Sequence, residues 1–401
     1  MTTTAARKKK EESIGYFDFS PHTRLVFGNG SSERIGELTA ELGGKRVLLV
    51  TDAGLVAAGH AKNIRSCLEK CGLVVTVFDR VKENPTTACV DACVRLAEKA
   101  KIDFLVGLGG GSSMDTAKGC NFIYTNGGRM EDYWGLGKAK KPMLPLIAIP
   151  TTAGTGSECQ SVTLIAKKSS HQKMACGDIK AAPRIALLDP TLTLSQPFRV
   201  TAVTGIDALS HAIESAVTTK RTAISWLFSK EAFALCARNL ALVLRDGENL
   251  EARGQMLLGA SLAGCAIENS MLGAAHSTAN PLTAHFDVVH GHAVGLMLPH
   301  IIRFNSDRPE VNQIYAELAE LLNRGNRAPV KKRSAHAGEF LAAFVEDQLK
   351  NANLPTRLRD LKIAQKSLPT LAEEAALQWT ARFNPRPLNR SDFLSLYELA
   401  Y

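Results

Sequence analysis

Asp207 and His211 stand four residues apart in Thr204-Gly-Ile-Asp-Ala-Leu-Ser-His-Ala-Ile-Glu-Ser215, an otherwise apolar run. On a helix this spacing puts both side chains on one face with Cβ atoms about 5–6 Å apart, so a carboxylate oxygen and an imidazole nitrogen can share one cation. Two more histidines, His276 and His290, follow in another apolar context, and together the four make an N/O ligand set for a divalent metal. The donor types suit Zn²⁺ or Fe²⁺ and disfavour Ca²⁺ or Mg²⁺. Taken alone, the Asp/His pair reads more simply as a capping or hydrogen-bonded pair in a chain with ten histidines. The glycine-rich segment upstream favours the ligand reading.

That segment, Gly109-Gly-Gly-Ser-Ser-Met-Asp-Thr-Ala-Lys118, follows a strand-like run directly and opens a helix. Glycines let backbone N–H groups approach an anion without Cβ obstruction, and the helix start turns its positive dipole end toward it, which suits a pyrophosphate. The usual dinucleotide fingerprint follows the first strand of its fold, whereas here the glycines follow the third strand of an alternating run. Asp52, after the first long strand, can accept from a ribose and would repel a 2′-phosphate, favouring NAD over NADP; a helix N-cap is the alternative for the same residue. A second Gly/Thr-rich turn, Pro150-Thr-Thr-Ala-Gly-Thr-Gly-Ser-Glu158, offers hydroxyls and amides to a phosphate or the nicotinamide ribose.

The elements that must position these groups alternate. Arg46–Thr51, Val74–Phe78 and Asp103–Leu108 read as strands, separated by helical stretches over about Leu55–Cys71 and Ala88–Lys101. This is the β-α-β-α-β pattern of a doubly wound, mostly parallel sheet, in which ligands collect at the carboxyl ends of the strands. Arg24–Phe27 precedes it, and further strand-like runs fall at 146–149, 161–165 and 184–188. After Asp189-Pro190 the period changes to that of helices, over 206–217, 223–244, 251–269 and onward. The expected organisation is a short disordered tail over 1–15, an α/β dinucleotide-binding domain over 16–195 and an all-α domain over 196–401.

Composition limits the partners. At 401 residues the chain is long enough for two domains, and no apolar run reaches the roughly 18 residues of a membrane span. Of the +9 net charge, Arg7 to Lys10 supply four units and the rest are dispersed among acidic residues, so a solvated surface is expected rather than a nucleic-acid face. Nine scattered cysteines with no C-x-x-C pair read as reduced, mostly buried thiols of a cytoplasmic protein.

In combination, GGGSSMDTAK at 109–118, IPTTAGTGSE at 149–158, DP at 189–190, TGIDALSHAIES at 204–215 and the His276…His290-Gly291 segment resemble the iron-containing (group III) alcohol dehydrogenase family over nearly the whole chain. The resemblance implies an N-terminal NAD-binding domain and a C-terminal helical domain in a dehydroquinate synthase-like architecture, with the active site in the cleft between them. It implies that Asp207, His211, His276 and His290 ligate Fe²⁺, or Zn²⁺ in some members. By the same carry-over Asp52 and Asn84 sit near the adenosine, and Gly110, Gly111 and Ser112 at the pyrophosphate. Thr151, Thr152 and Lys173 then lie near the phosphates and nicotinamide ribose, and Asp115 and Thr155 complete the cofactor set. The implied activity is hydride transfer between NAD(H) and a small primary alcohol or diol and its aldehyde, in a homo-oligomer of two or more copies.

The sequence departs from the family at one catalytic position. Many members carry a further histidine four residues after the first late ligand; here that place holds Asn280, which can hydrogen-bond a substrate hydroxyl but cannot titrate. His292, two residues after His290, is the alternative proton carrier, or a structural residue. Two rival functions share these parts: a lyase that uses NAD and metal for transient oxidation, and a cofactor-binding protein without turnover. The first needs Lys or Arg near the metal for a phosphorylated substrate, and the segments around His276 and His290 have none.

Overall fold

The computed structural model describes residues 17–168, 172–322 and 336–401; the tail expected over 1–15 lies outside them. The strands are β1 (Arg24–Phe27), β2 (Arg46–Asp52), β3 (Val74–Val81), β4 (Phe104–Gly109), β5 (Gly135–Leu136), β6 (Leu146–Pro150), β7 (Val162–Ala166), β8 (Lys173–Gly177) and β9 (Ile185–Leu188). Interleaved with them are α1 (Ile35–Glu41), α2 (Ala53–Ala57), α3 (His60–Lys70), α4 (Thr87–Ala100) and α5 (Gly111–Asn126). Among the described residues no strand follows β9. The chain continues as α6 (Phe198–Ser215), α7 (Ala223–Arg245), α8 (Leu250–Ser270), α9 (Ala274–Phe286), α10 (His290–Ser306), α11 (Pro309–Leu321), α12 (Ala337–Asn351), α13 (Leu368–Ala376) and α14 (Arg390–Leu399).

The main sheet has the order β1-β9-β6-β4-β2-β3, and every neighbouring pair is parallel. A parallel sheet is covered on both faces, and alternation within single strands shows it: Leu48 and Val50 of β2 enter one core, Val47 and Leu49 the other. The chain moves outward from β2 to β3, then returns to β4 on the opposite side of β2. The crevice at the carboxyl ends of β2 and β4 is therefore the switch point where such sheets take ligands.

Four local features differ from the sequence reading. The helix expected over Leu55–Cys71 is two helices, because Gly59 takes the left-handed conformation at φ +85° and restarts the chain. The run near 161–165 does not join the main sheet; β7 pairs antiparallel with β8 in a separate three-stranded sheet. β8 itself, Lys-Met-Ala-Cys-Gly, is short and poor in β-formers, and escaped the sequence reading. The first long helix after the sheet also begins earlier than expected, at Phe198.

The helical part forms one apolar core around α6, which packs against α7, α8 and α10. Gly291 in the first turn of α10 sits against α6: a Cβ there would overlap the Val203 carbonyl oxygen and come within 3.0 Å of the Asp207 Cβ. The close approach brings His290 beside Asp207. No single helix among the described residues is long and apolar enough to cross a membrane.

Candidate active site

Asp207 and His211 lie one turn apart on α6, both about 95% buried, with His211 Nε2 3.6 Å from Asp207 Oδ1. His276, in the first turn of α9, brings Nε2 to 3.8 Å from the same oxygen. His290 opens α10, and Asp207, His276 and His290 each offer a ligand atom within 4.8 Å of the others. The His211 and His276 rings stack with centroids 4.8 Å apart, and the His276 and His290 rings are 5.3 Å apart. All four residues proposed from the sequence as ligands thus converge from three helices.

Charge and burial are in tension throughout the cluster. Asp207 Oδ1, His276 Nε2 and His290 Nδ1 are buried without a hydrogen-bond partner, a costly state for polar atoms in a dry interior. Burial opposes a charge on Asp207, but the surrounding imidazoles, His211 foremost, outweigh it and hold the carboxyl below its usual range. Burial pushes His290 down to about 3 despite Asp207, and also lowers His211. At His276 burial is overcome by the Glu214 and Asp207 carboxylates, which raise the imidazole to about 9. The Asp207 carboxylate and the neutral imidazoles of His211 and His290 are donors of the kind a divalent ion needs, and an ion bound there would take the place of the extra proton that His276 holds.

The sheet edge carries the other half of the site. Gly110 and Gly111 begin α5 directly after β4, with Ser112 in the same turn. A Cβ on Gly110 would lie 3.3 Å from Thr152 Oγ1, and one on Gly111 2.9 Å from Thr155 Cγ2, so the two glycine-bearing turns face each other across a gap that side chains would fill. Thr151 is buried, and its N–H donates to Gly109. Asp52 caps α2, its Oδ1 accepting from Leu55 N–H at 3.1 Å, at the carboxyl end of β2; Asn84 is exposed after β3 at φ +53°. Lys173, the first residue of β8, has its pKa lowered by burial and sits within the fields of Asp115 and Asp207, between the two halves of the site.

Several residues are used inside the fold. Asp115 accepts from Ser157 Oγ at 2.9 Å and Leu164 N–H at 3.0 Å, so its carboxylate braces α5 against the second glycine-bearing turn and β7. Lys118, fully buried, directs Nζ to Ser157 O, Ser157 Oγ and Val162 O, which uses all three of its donors. Asp189 of the DP motif accepts from Gly30, Ser32 and Thr191 and joins the turn after β1 to the exit of β9. His292, read from the sequence as a possible proton carrier, has its Nε2 bonded to the Pro355 carbonyl at 2.7 Å and serves as a tie to the loop after α12. Asn280 donates from Nδ2 to Gln378 Oε1 at 3.0 Å, a partner ninety-eight residues away that no local pattern announces. Glu214 was also missed, although it lies on the same face of α6 as Asp207 and His211.

A nucleotide-type sheet edge beside a buried, cation-seeking cluster is the layout of a metal-dependent dehydrogenase. Residues 21–190 match the family model of the iron-containing alcohol dehydrogenases, and residues 201–401 match that of the Fe-containing alcohol dehydrogenase family's C-terminal part. Similar proteins include the NAD-dependent methanol dehydrogenase of Bacillus methanolicus, 32% identical over 94% of this chain and 97% of that protein. The 1,3-propanediol dehydrogenase of Klebsiella pneumoniae is 31% identical over 97% of this chain and its own full length. The crystal structure of a 1,3-propanediol oxidoreductase superimposes with a TM-score of 0.91 over 96% of this chain and 100% of the other, at 31% identity. The chain belongs to the iron-containing alcohol dehydrogenase family.

Gly110→Ala is expected to separate cofactor binding from folding. The added methyl would sit 3.3 Å from Thr152 Oγ1, a tight contact that a small shift of the threonine side chain relieves, and it enters the gap between the two turns. The expected result is a fold of near-normal stability with NAD(H) affinity weaker by roughly tenfold, about 1.4 kcal/mol, read by titrating NADH fluorescence. Unchanged affinity would remove the turn from the cofactor site.

Proposed function

We propose that this chain interconverts a small primary alcohol or diol and its aldehyde by hydride transfer to or from NAD(H), using Fe²⁺ or, alternatively, Zn²⁺. The observation that carries this reading is the group of orphaned buried atoms, Asp207 Oδ1, His276 Nε2 and His290 Nδ1, gathered in the helical part of a chain whose sheet edge presents a glycine cradle. Asp207, His211, His276 and His290 would hold the ion, which when bound supplies a Lewis acid that polarises the oxygen of alcohol or aldehyde. The NAD-dependent relative and the NAD⁺ complex of a sulfoacetaldehyde reductase, 28% identical with a TM-score of 0.83, support the cofactor.

The residues of the chain do the positioning. The amides of Gly110, Gly111 and Ser112 at the start of α5 receive the pyrophosphate, while Asp52 and Asn84 lie on the adenosine side. Thr151, Thr152, Thr155 and Lys173 hold the nicotinamide-ribose end, and Lys173 adds a positive charge between cofactor and ligand cluster. Asn280 orients a substrate hydroxyl through its amide but cannot carry the proton, which therefore leaves by another route. The two halves, 16–195 and 196–401, contribute cofactor and metal sites to one cleft. Nine free thiols accord with a cytoplasmic protein, and a homo-oligomer is the expected assembly.

The test is NAD⁺ reduction by anaerobically purified protein, reloaded separately with Fe²⁺ and Zn²⁺, across short primary alcohols and diols. Turnover that depends on the added metal is expected. Silence across the panel, despite tight binding of both NAD and metal, would move the assignment to a different substrate or to a protein without turnover.

A further inference from the structure

α6 carries a third functional group on the stripe that holds Asp207 and His211. Glu214 follows them seven and three residues on, respectively, and is 3% exposed. Its two oxygens go to different atoms of α9: Oε2 accepts from His276 Nδ1 at 2.5 Å, and Oε1 accepts from the Ala275 N–H at 2.6 Å. α9 has no cap of its own, because Gly273 stands at the N-cap position and a Cβ there would approach Glu214 Oε1 and Asn384 Oδ1 to 3.0 Å each. Glu214, with Asn384 accepting from Ala274 N–H at 3.3 Å, therefore caps α9 from outside, where the helix dipole favours a carboxylate.

We propose that Glu214 is a positioning residue for the metal. It holds His276 with Nδ1 donating, so that Nε2 is the nitrogen turned toward Asp207 and His290 and left for a metal. His276 Nε2 is indeed the ring nitrogen without a partner, and it is the one 3.8 Å from Asp207 Oδ1. A carboxylate behind a ligating histidine fixes ring orientation and raises ligand basicity. The other outer contact seen in the cluster is weaker in kind: His211 Nδ1 meets only the Gly154 carbonyl, at 3.3 Å. The inference rests on the reading of Asp207, His211, His276 and His290 as ligands.

Glu214→Gln is the discriminating variant, since its carbonyl oxygen can still accept from Ala275 while its NH₂ would oppose the His276 donor. Zn²⁺ affinity by chelator competition should fall roughly 10–100-fold, with a changed Co²⁺ absorption spectrum, in a protein that still folds and binds NAD(H). Glu214→Asp, which keeps the carboxylate on a shorter arm, should recover part of the loss. Wild-type affinity and spectrum in Glu214→Gln, or lost stability with unchanged affinity, overturns the proposal. Should both variants fail to fold, zinc-loaded wild-type protein labelled with ¹⁵N-histidine decides: an exchange-protected Nδ1–H on His276 is expected, and an unprotonated Nδ1 refutes it. A wild-type chain that takes up no metal fails the four-ligand reading itself, an outcome distinct from equal binding by wild type and variant.

Discussion

Asp207→Asn is expected to abolish metal-dependent turnover and to weaken divalent-metal affinity at least about a hundredfold, beyond the usual range for an outer-shell change, in a protein that still folds and binds NAD(H). Asp207 is the only carboxylate among the four proposed ligands, and its Oδ1 is approached by His211 and His276 at 3.6 and 3.8 Å. With asparagine the ion would meet only neutral donors in a buried site, and nothing would offset the cost of leaving water with its charge unbalanced. The metal-free protein responds differently. There the surrounding imidazoles, His211 foremost, favour the carboxylate, so a neutral amide of the same shape forfeits that attraction and lowers the melting temperature. Metal affinity lost in a protein that still unfolds cooperatively and binds NAD(H) is a combination that general damage to the core does not produce. Metal content, thermal melting of the stripped protein and NAD⁺ reduction measured together test it; a variant that still turns over with added Fe²⁺ would remove Asp207 from the ligand set.

Gly291→Ala is expected to destabilise the fold and the metal site together. In most helices this exchange stabilises by roughly 0.5–1 kcal/mol, because alanine loses less backbone freedom. Here the new methyl would overlap the Val203 carbonyl oxygen of α6, a backbone atom that cannot rotate aside, and would crowd the Asp207 Cβ. Overpacking of this kind costs about 1–3 kcal/mol, which exceeds the propensity gain and reverses the sign. Relief requires α10 to move away from α6, and His290 stands at the start of α10. Melting temperature and metal stoichiometry should therefore fall in the same variant. An alanine protein as stable as its parent would contradict the packing argument.

What could be read from the sequence follows the range of each interaction. The parallel sheet was legible because β2 and β4 are continuous apolar runs that can only be buried on both faces. The convergence of four cation-seeking residues was legible because two of them share a helix face and the others stand in apolar surroundings that polar rings do not enter without a reason. The glycine turn was legible from its place between strand and helix. Contacts made at long range were not. That Glu214 faces His276 depends on where α9 begins relative to α6, sixty-two residues later. The engagement of His292 by Pro355, and of Asn280 by Gln378, likewise depends on segments far along the chain. Asp115 lies in the glycine motif itself, and its bonds to Ser157 and to the Leu164 N–H depend on where the second turn and β7 are placed.

The bond from His211 Nδ1 to the Gly154 carbonyl joins a residue of the ligand cluster to the turn that carries Thr151, Thr152 and Thr155. Because that turn belongs to the sheet edge and His211 to α6, one hydrogen bond spans the two halves of the site. Linkage then imposes a symmetry on the molecule: by whatever factor an occupied turn alters the hold of His211 on an ion, the ion must alter nucleotide affinity by the same factor. The order in which the two are loaded can change the rate of assembly but not the final occupancy. Measured affinities for either one therefore have meaning only when the occupancy of the other is stated.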